Sequence, residues 1–228
     1  MGTARFAWGE LYRHHRFLAP VCEETLLAAA REAGAREGMT LLELHCGNAA
    51  AGLFLADAFH LYLRGVDSRA DLLDLARRAA ATSRAAARVR LAHDDAAHPG
   101  PENGPVDLLL ALRGVPAGTL ALLRPGGRVI AGRLVLLRSP APRELREAFP
   151  EGERLGDRAP LWRREASPLE WERYVAPQER ALAEYREGLR AGATASPVAD
   201  AAERFVEAFR SNSAYVAYEV AVHAAGTA

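Results

Sequence analysis

Lysine is absent from this chain: all 29 of its basic residues are arginines, balanced by 29 acidic residues for a formal net charge of zero. Without a lysine amine there is no Schiff-base nucleophile, and a phosphate-binding P-loop, which places lysine beside its glycines, is excluded. No basic excess appears in total or in any run, so the electrostatic footprint of a nucleic-acid binder is missing and no DNA or RNA partner is expected. The arginines, in an alanine-rich sequence, read as solvated surface rather than as a functional set. Cysteine is scarce too. Cys22 and Cys46 form neither a disulfide framework nor a Cys-x-x-Cys pair, so no metal site is expected and a reducing, cytoplasmic setting fits. No apolar run is long enough to span a bilayer, and residues 1–20 mix arginine, histidine and aromatics where a signal peptide would carry an apolar core. A membrane is therefore not an expected partner.

What is present is a globular composition: 228 residues, 50% of them hydrophobic, enough for one domain with an elaboration. Helical spacing of Leu26, Leu27 and Ala30 predicts a helix over about 21–34. Short apolar runs at 40–44, 61–66, 89–92 and 106–112 alternate with helical stretches at 50–59, 68–81 and 117–122, and a fifth strand is predicted through Ala131. The helix from Ser68 has a capping-box pattern with Asp71. Strands alternating with helices imply a parallel sheet with right-handed crossovers. The remaining third breaks this rhythm. Ser167-Pro168-Leu169-Glu170 is a helix start, Pro177 is expected to interrupt that helix, and further helices are expected at 178–189 and 197–209 before a closing strand at 213–222.

Chemistry concentrates at the ends of the predicted strands. Thr40-Leu41-Leu42-Glu43-Leu44-His45-Cys46-Gly47-Asn48-Ala49 ends an apolar run in an acid and a glycine-containing turn, Leu63-Arg64-Gly65-Val66-Asp67 ends the next run in another acid, and Leu123-Arg124-Pro125-Gly126-Gly127 supplies a later turn. In this order these segments resemble the class I S-adenosylmethionine-dependent methyltransferases, over roughly residues 40–131. The resemblance implies an α/β, Rossmann-like methyltransferase fold: a mostly parallel sheet with helices on both faces. It divides the chain into an N-terminal helical lid (1–36), a cofactor-binding core (37–138), a helical cap before the last strand (139–212) and a closing strand (213–228).

The resemblance also implies S-adenosyl-L-methionine as cofactor. Glu43 would fix the loop and the cofactor's amino-acid end, and Gly47 would let the backbone approach it. Asp67, with Ser68 after it, would take the ribose hydroxyls. Asp95 would receive the adenine amino group, with Asp94 as the competing assignment, and Ala96 and Leu112 would complete the cofactor contacts. The family's turn reads acid-x-Gly-x-Gly-x-Gly; here His45 and Ala49 replace the outer glycines. His45 is a candidate acid or base facing the acceptor, with a packed loop histidine as the alternative, and Ala49 is a mild change if its backbone angles are ordinary.

The acceptor is expected to be a small molecule held between the strand ends and the cap. Trp8, His15, Arg113, Trp171 and Tyr174 are the candidate pocket residues, with Tyr12 beside His45 as a catalytic candidate; ordinary core packing is the competing reading for the aromatics. Self-association into a homodimer is left open. Two other readings compete: a non-catalytic cofactor-binding or interaction protein, suggested by the altered glycine turn, and a nicotinamide-dependent oxidoreductase, disfavoured by the missing Gly-x-Gly-x-x-Gly.

Overall fold

The computed structural model describes residues 6–137, 159–190 and 196–225. The first part of the predicted cap, 139–158, and the ends of the predicted lid and closing strand lie outside these residues. A short helix α1 (Trp8–Leu11) and helix α2 (Glu23–Glu32) precede the alternating region. There β1 (Thr40–Leu44), α3 (Ala50–Phe59), β2 (Tyr62–Asp67), α4 (Ala70–Thr82), β3 (Val89–His93), β4 (Val106–Ala111) and β5 (Leu123–Leu136) follow in turn. After them come β6 (Trp162–Glu165), α5 (Pro168–Arg190), α6 (Pro197–Asn212) and β7 (Val216–Ala224).

The seven strands form one sheet in the order β3-β2-β1-β4-β5-β7-β6. The first five are parallel; β7 runs antiparallel to β5, and β6 antiparallel to β7. The reason for helices on both faces is visible in β4. Leu108 and Leu110 enter one apolar cluster while Val106, Leu109 and Ala111 enter the other. Strand side chains alternate, so an uninterrupted apolar strand must be covered on both sides. Each leucine so buried contributes about 1.5–3 kcal/mol. In β1, Leu41 and Leu42 divide between the same two clusters.

Several local expectations give way to tertiary contacts. The Ser68–Asp71 capping box does not form: Arg69 is the N-cap residue without a side-chain cap, and Asp71 instead accepts the amide of Gly9 at 2.7 Å. Pro177 does not interrupt α5, which continues to Arg190. An internal proline costs about 3 kcal/mol, but Trp171 and Val175 before it and Ala181 and Leu182 after it are all buried and hold both halves on the core. The segment at 117–122 is a single 3₁₀ turn (Thr119–Leu122), and the strand after it runs five residues beyond Ala131. β6 is a strand where none is expected. By contrast, the Ser167–Glu170 box forms as predicted: Glu170 Oε2 accepts the Ser167 amide at 2.8 Å, and Ser167 Oγ accepts the Glu170 amide at 3.3 Å. Among the described residues no helix is long and apolar enough to cross a membrane.

Candidate functional site

The site is built where β1, β2 and β4 end. The turn after β1 carries three residues in the left-handed region: His45 (φ 51°), Gly47 (φ 55°) and Ala49 (φ 53°). These are the three positions where the resembling family places glycine. The backbone bend is thus kept although two of its residues have a Cβ, at about 1–2 kcal/mol of strain each. Ala49 is accordingly not the mild change expected of ordinary angles. At Gly47 a Cβ would meet the end of the Leu18 side chain, so a larger residue there requires Leu18 to move in addition to the cost of the left-handed conformation. Asn48 ties the turn to the N-terminal segment through the carbonyl of Arg16 at 3.3 Å and caps Ala50 at 3.2 Å.

Asp67, at the tip of β2, is fully buried. Its Oδ2 accepts the Gly47 amide at 2.8 Å and Arg69 Nη2 at 3.0 Å, and its Oδ1 accepts the Arg69 amide and Nε at 2.9 and 3.0 Å. Burial pushes this carboxyl up, but the Arg69 hydrogen bonds and charge, with the Gly47 amide, outweigh it and hold Asp67 below the usual carboxylate range. The Arg69 guanidinium in turn lies 5.5 Å from the Trp8 ring centroid. Arg69 and Leu18 were not legible as site residues; the one available signal was a basic residue two positions after the strand-tip acid.

The three acids sit on adjacent strand ends, but their carboxyl groups do not converge. Glu43 points beneath the turn, where its Oε2 accepts the amide of Gly52 in the first turn of α3 at 3.2 Å. Burial, together with the nearby Asp67 charge, raises its pKa to about 8, so it is largely protonated at neutral pH. Its place is that of a loop anchor, not of a group facing a ligand. Asp95 closes its own exposed turn, accepting from Ala97 at 2.9 Å and pairing with His98 at 2.9 Å. Asp94 caps the Asp95 amide at 2.8 Å. Ser68 is exposed and Ala96 is buried under the sheet edge.

His45 is held neutral: burial lowers its pKa first, and the charge of Arg113 adds to this against Asp67 and Asp95. It feels the charges of both Arg113 and Asp67 but is not among the residues that line a cavity of about 330 Å³ beyond the tip of β4. Trp8, Tyr12, Leu112, Arg113, Trp171 and Tyr174 line that cavity; of these Tyr12 is the catalytic candidate, Leu112 the predicted cofactor contact and the other four the predicted acceptor-pocket residues. Leu18, Arg133, Gln178, Phe205 and Tyr218 are also in its walls. Tyr218 also donates to the Leu112 carbonyl at 2.6 Å and so fixes the end of β4. His15 does not line the cavity. It is buried behind it, edge-on to Tyr12 and Tyr174, with Nε2 2.9 Å from the Tyr174 carbonyl and Nδ1 without a hydrogen-bond partner.

This sheet, with its reversed seventh strand and a ligand-sized cavity at the parallel strands' carboxyl ends, is the Rossmann-like fold of the class I S-adenosylmethionine-dependent methyltransferases. Neither a protein-family model nor a curated protein sequence matches the chain. Solved structures do. A SAM-dependent methyltransferase from Geobacter sulfurreducens in complex with S-adenosyl-L-homocysteine superposes with a TM-score of 0.76 at 17% identity, covering 96% of this chain and 98% of that one. A SAM-dependent methyltransferase from Thiobacillus denitrificans, in complex with the same compound, gives 0.74 at 18% identity with the same coverage. The [4+2]-cyclase SpnF gives 0.67 at 16% identity, covering 88% and 79%.

Proposed function

We propose that the protein binds S-adenosylmethionine and transfers its methyl group to a small molecule held in the cavity. The observation that carries this reading is the turn itself: three left-handed positions at 45, 47 and 49, with the Gly47 amide donating to the carboxylate on the tip of the neighbouring strand. That arrangement places a Cβ-free backbone beside a charged acceptor of hydroxyl hydrogen bonds, which fits an adenosine-bearing cofactor. The adenosyl compounds bound to the Geobacter and Thiobacillus proteins support the same assignment.

In this reading Asp67 accepts from the ribose hydroxyls once Arg69 releases it, Gly47 lines the cofactor's path, and protonated Glu43 anchors the bend from below. The cofactor supplies a methyl carbon bound to a sulfonium, open to in-line attack. The chain's own contribution is alignment and exclusion of water, through Trp8 and Tyr12 from the N-terminal segment and Trp171 and Tyr174 from α5. Neutral His45, within electrostatic reach of Arg113 in the cavity wall, is the chain's candidate to take a proton from an acceptor hydroxyl or amine.

Calorimetry with S-adenosylhomocysteine and, separately, NAD tests the reading, because a ligand selective for the folded state also raises its melting temperature. Binding of S-adenosylhomocysteine is expected; a response to NAD alone would overturn it. A non-catalytic binding protein is the second reading, favoured by the strained His45 and Ala49 and by Arg69 covering Asp67. His45→Gly separates the two: tighter cofactor binding without turnover marks a decayed pocket, whereas loss of an existing turnover marks an adapted enzyme.

A further inference from the structure

Arg113 lies two residues beyond the end of β4, lines the cavity and keeps part of its surface open to solvent. Tyr12 and Tyr174 are its closest electrostatic neighbours. Among the described residues no carboxylate forms an ion pair with it. Asp67, the acid whose charge reaches it, is committed to Arg69. The other arginine in the wall, Arg133, is neutralised: Glu219 Oε1 accepts from its Nε at 3.0 Å and its Nη2 at 2.8 Å. The cavity therefore has aromatic walls and one uncompensated cation.

A guanidinium without an ion partner on the wall of an aromatic cavity offers an incoming anion a charged hydrogen-bond donor there. The planar fork of arginine matches a carboxylate with two parallel hydrogen bonds. A cationic acceptor would meet repulsion from the same group. A volume of about 330 Å³ is at the lower end for small-molecule sites and suits a small acceptor. We propose that the acceptor is a small aromatic or apolar carboxylate, its charged end paired with Arg113 and its body lying against Trp171, Tyr174 and Phe205. The proposal names the acceptor class for the methyl transfer proposed above and rests on that reading.

Tryptophan fluorescence reports binding directly, since Trp8 and Trp171 line the cavity. Phenylacetate and 3-phenylpropionate are titrated against their neutral amides, with and without S-adenosylhomocysteine, into wild-type protein and Arg113→Gln. At least one acid should bind about tenfold or more tightly than its amide, the scale of a charged hydrogen-bonded contact, and Arg113→Gln should abolish that ratio. Equal binding of acids and amides, or no binding of either, in protein that does bind S-adenosylhomocysteine overturns the proposal. Acid-selective binding in protein that does not bind S-adenosylhomocysteine supports the carboxylate site and removes methyl transfer instead. Arg133→Gln is the control should Arg113→Gln fail to melt cooperatively: retained acid preference supports Arg113, and lost preference transfers the role to Arg133 and overturns the assignment.

Discussion

Arg69 covers Asp67: its Nε and Nη2 each lie 3.0 Å from a carboxylate oxygen. In the function proposed above, cofactor binding at Asp67 therefore has to compete with an internal ion pair. Arg69→Ala is expected to tighten S-adenosylhomocysteine binding a few-fold while lowering the melting temperature, because the Asp67 charge loses its partner. Asp67→Asn should weaken the same binding by about tenfold or more, as expected for lost hydrogen bonds to a charged group. Calorimetry on both variants checks the pair. Weaker binding by Arg69→Ala would show that the guanidinium assists the ligand and does not compete with it.

Ala49 holds a left-handed conformation at the N-cap of α3. Ala49→Gly should therefore stabilise the protein, or leave it unchanged, by up to about 1 kcal/mol, the relieved strain being partly offset by the greater freedom of glycine in the unfolded chain. Urea denaturation reads this out. A loss of stability comparable to that of an ordinary helix glycine would contradict the strained backbone.

Two buried groups give the stability a pH dependence of opposite sign. Burial holds the folded pKa of His15 near 4, against 6.5 when exposed, so the folded state resists its protonation. Its contribution is intact above pH 6.5 and is lost as pH falls toward 4, by about 3 kcal/mol at most. Glu43, raised from 4.5 to about 8, contributes fully below pH 4.5, and that contribution is lost as pH rises toward 8. Glu43→Gln should flatten the decline on the alkaline side, and His15→Phe the decline on the acid side. Denaturation midpoints between pH 4 and pH 9 distinguish them; unchanged slopes in both variants would place the titrating groups elsewhere.

Gly132, in β5, faces the end of β4 so closely that a Cβ would stand 2.9 Å from Leu112 Cα and closer still to the Tyr218 hydroxyl. Gly132→Ala should displace Tyr218 from the Leu112 carbonyl and cost roughly 1–3 kcal/mol by overpacking. Its effect on acceptor binding should exceed its effect on S-adenosylhomocysteine binding, since Leu112 and Tyr218 line the cavity. Equal effects on both ligands would indicate general loosening of the sheet.

The order of elements from β1 to β4 was readable because its signals are local. A run such as Leu108-Leu109-Leu110 must be covered on both faces wherever it lies, and the Ser167–Glu170 cap is complete within four residues. Neighbours in the chain therefore set the alternating architecture and the glycine-bearing bend after β1. Tertiary structure decided the rest. Trp162-Arg163-Arg164-Glu165 has no strand-like apolar pattern and becomes β6 because β7 offers it an open edge. Asp71 caps a helix 62 positions away instead of its own, and Leu18 reaches Gly47 only once the N-terminal segment folds over the sheet. The division is physical: hydrophobic period and capping are set by neighbours in the chain, whereas the partner of a charge or the neighbour of a glycine is set by which surfaces the fold presses together.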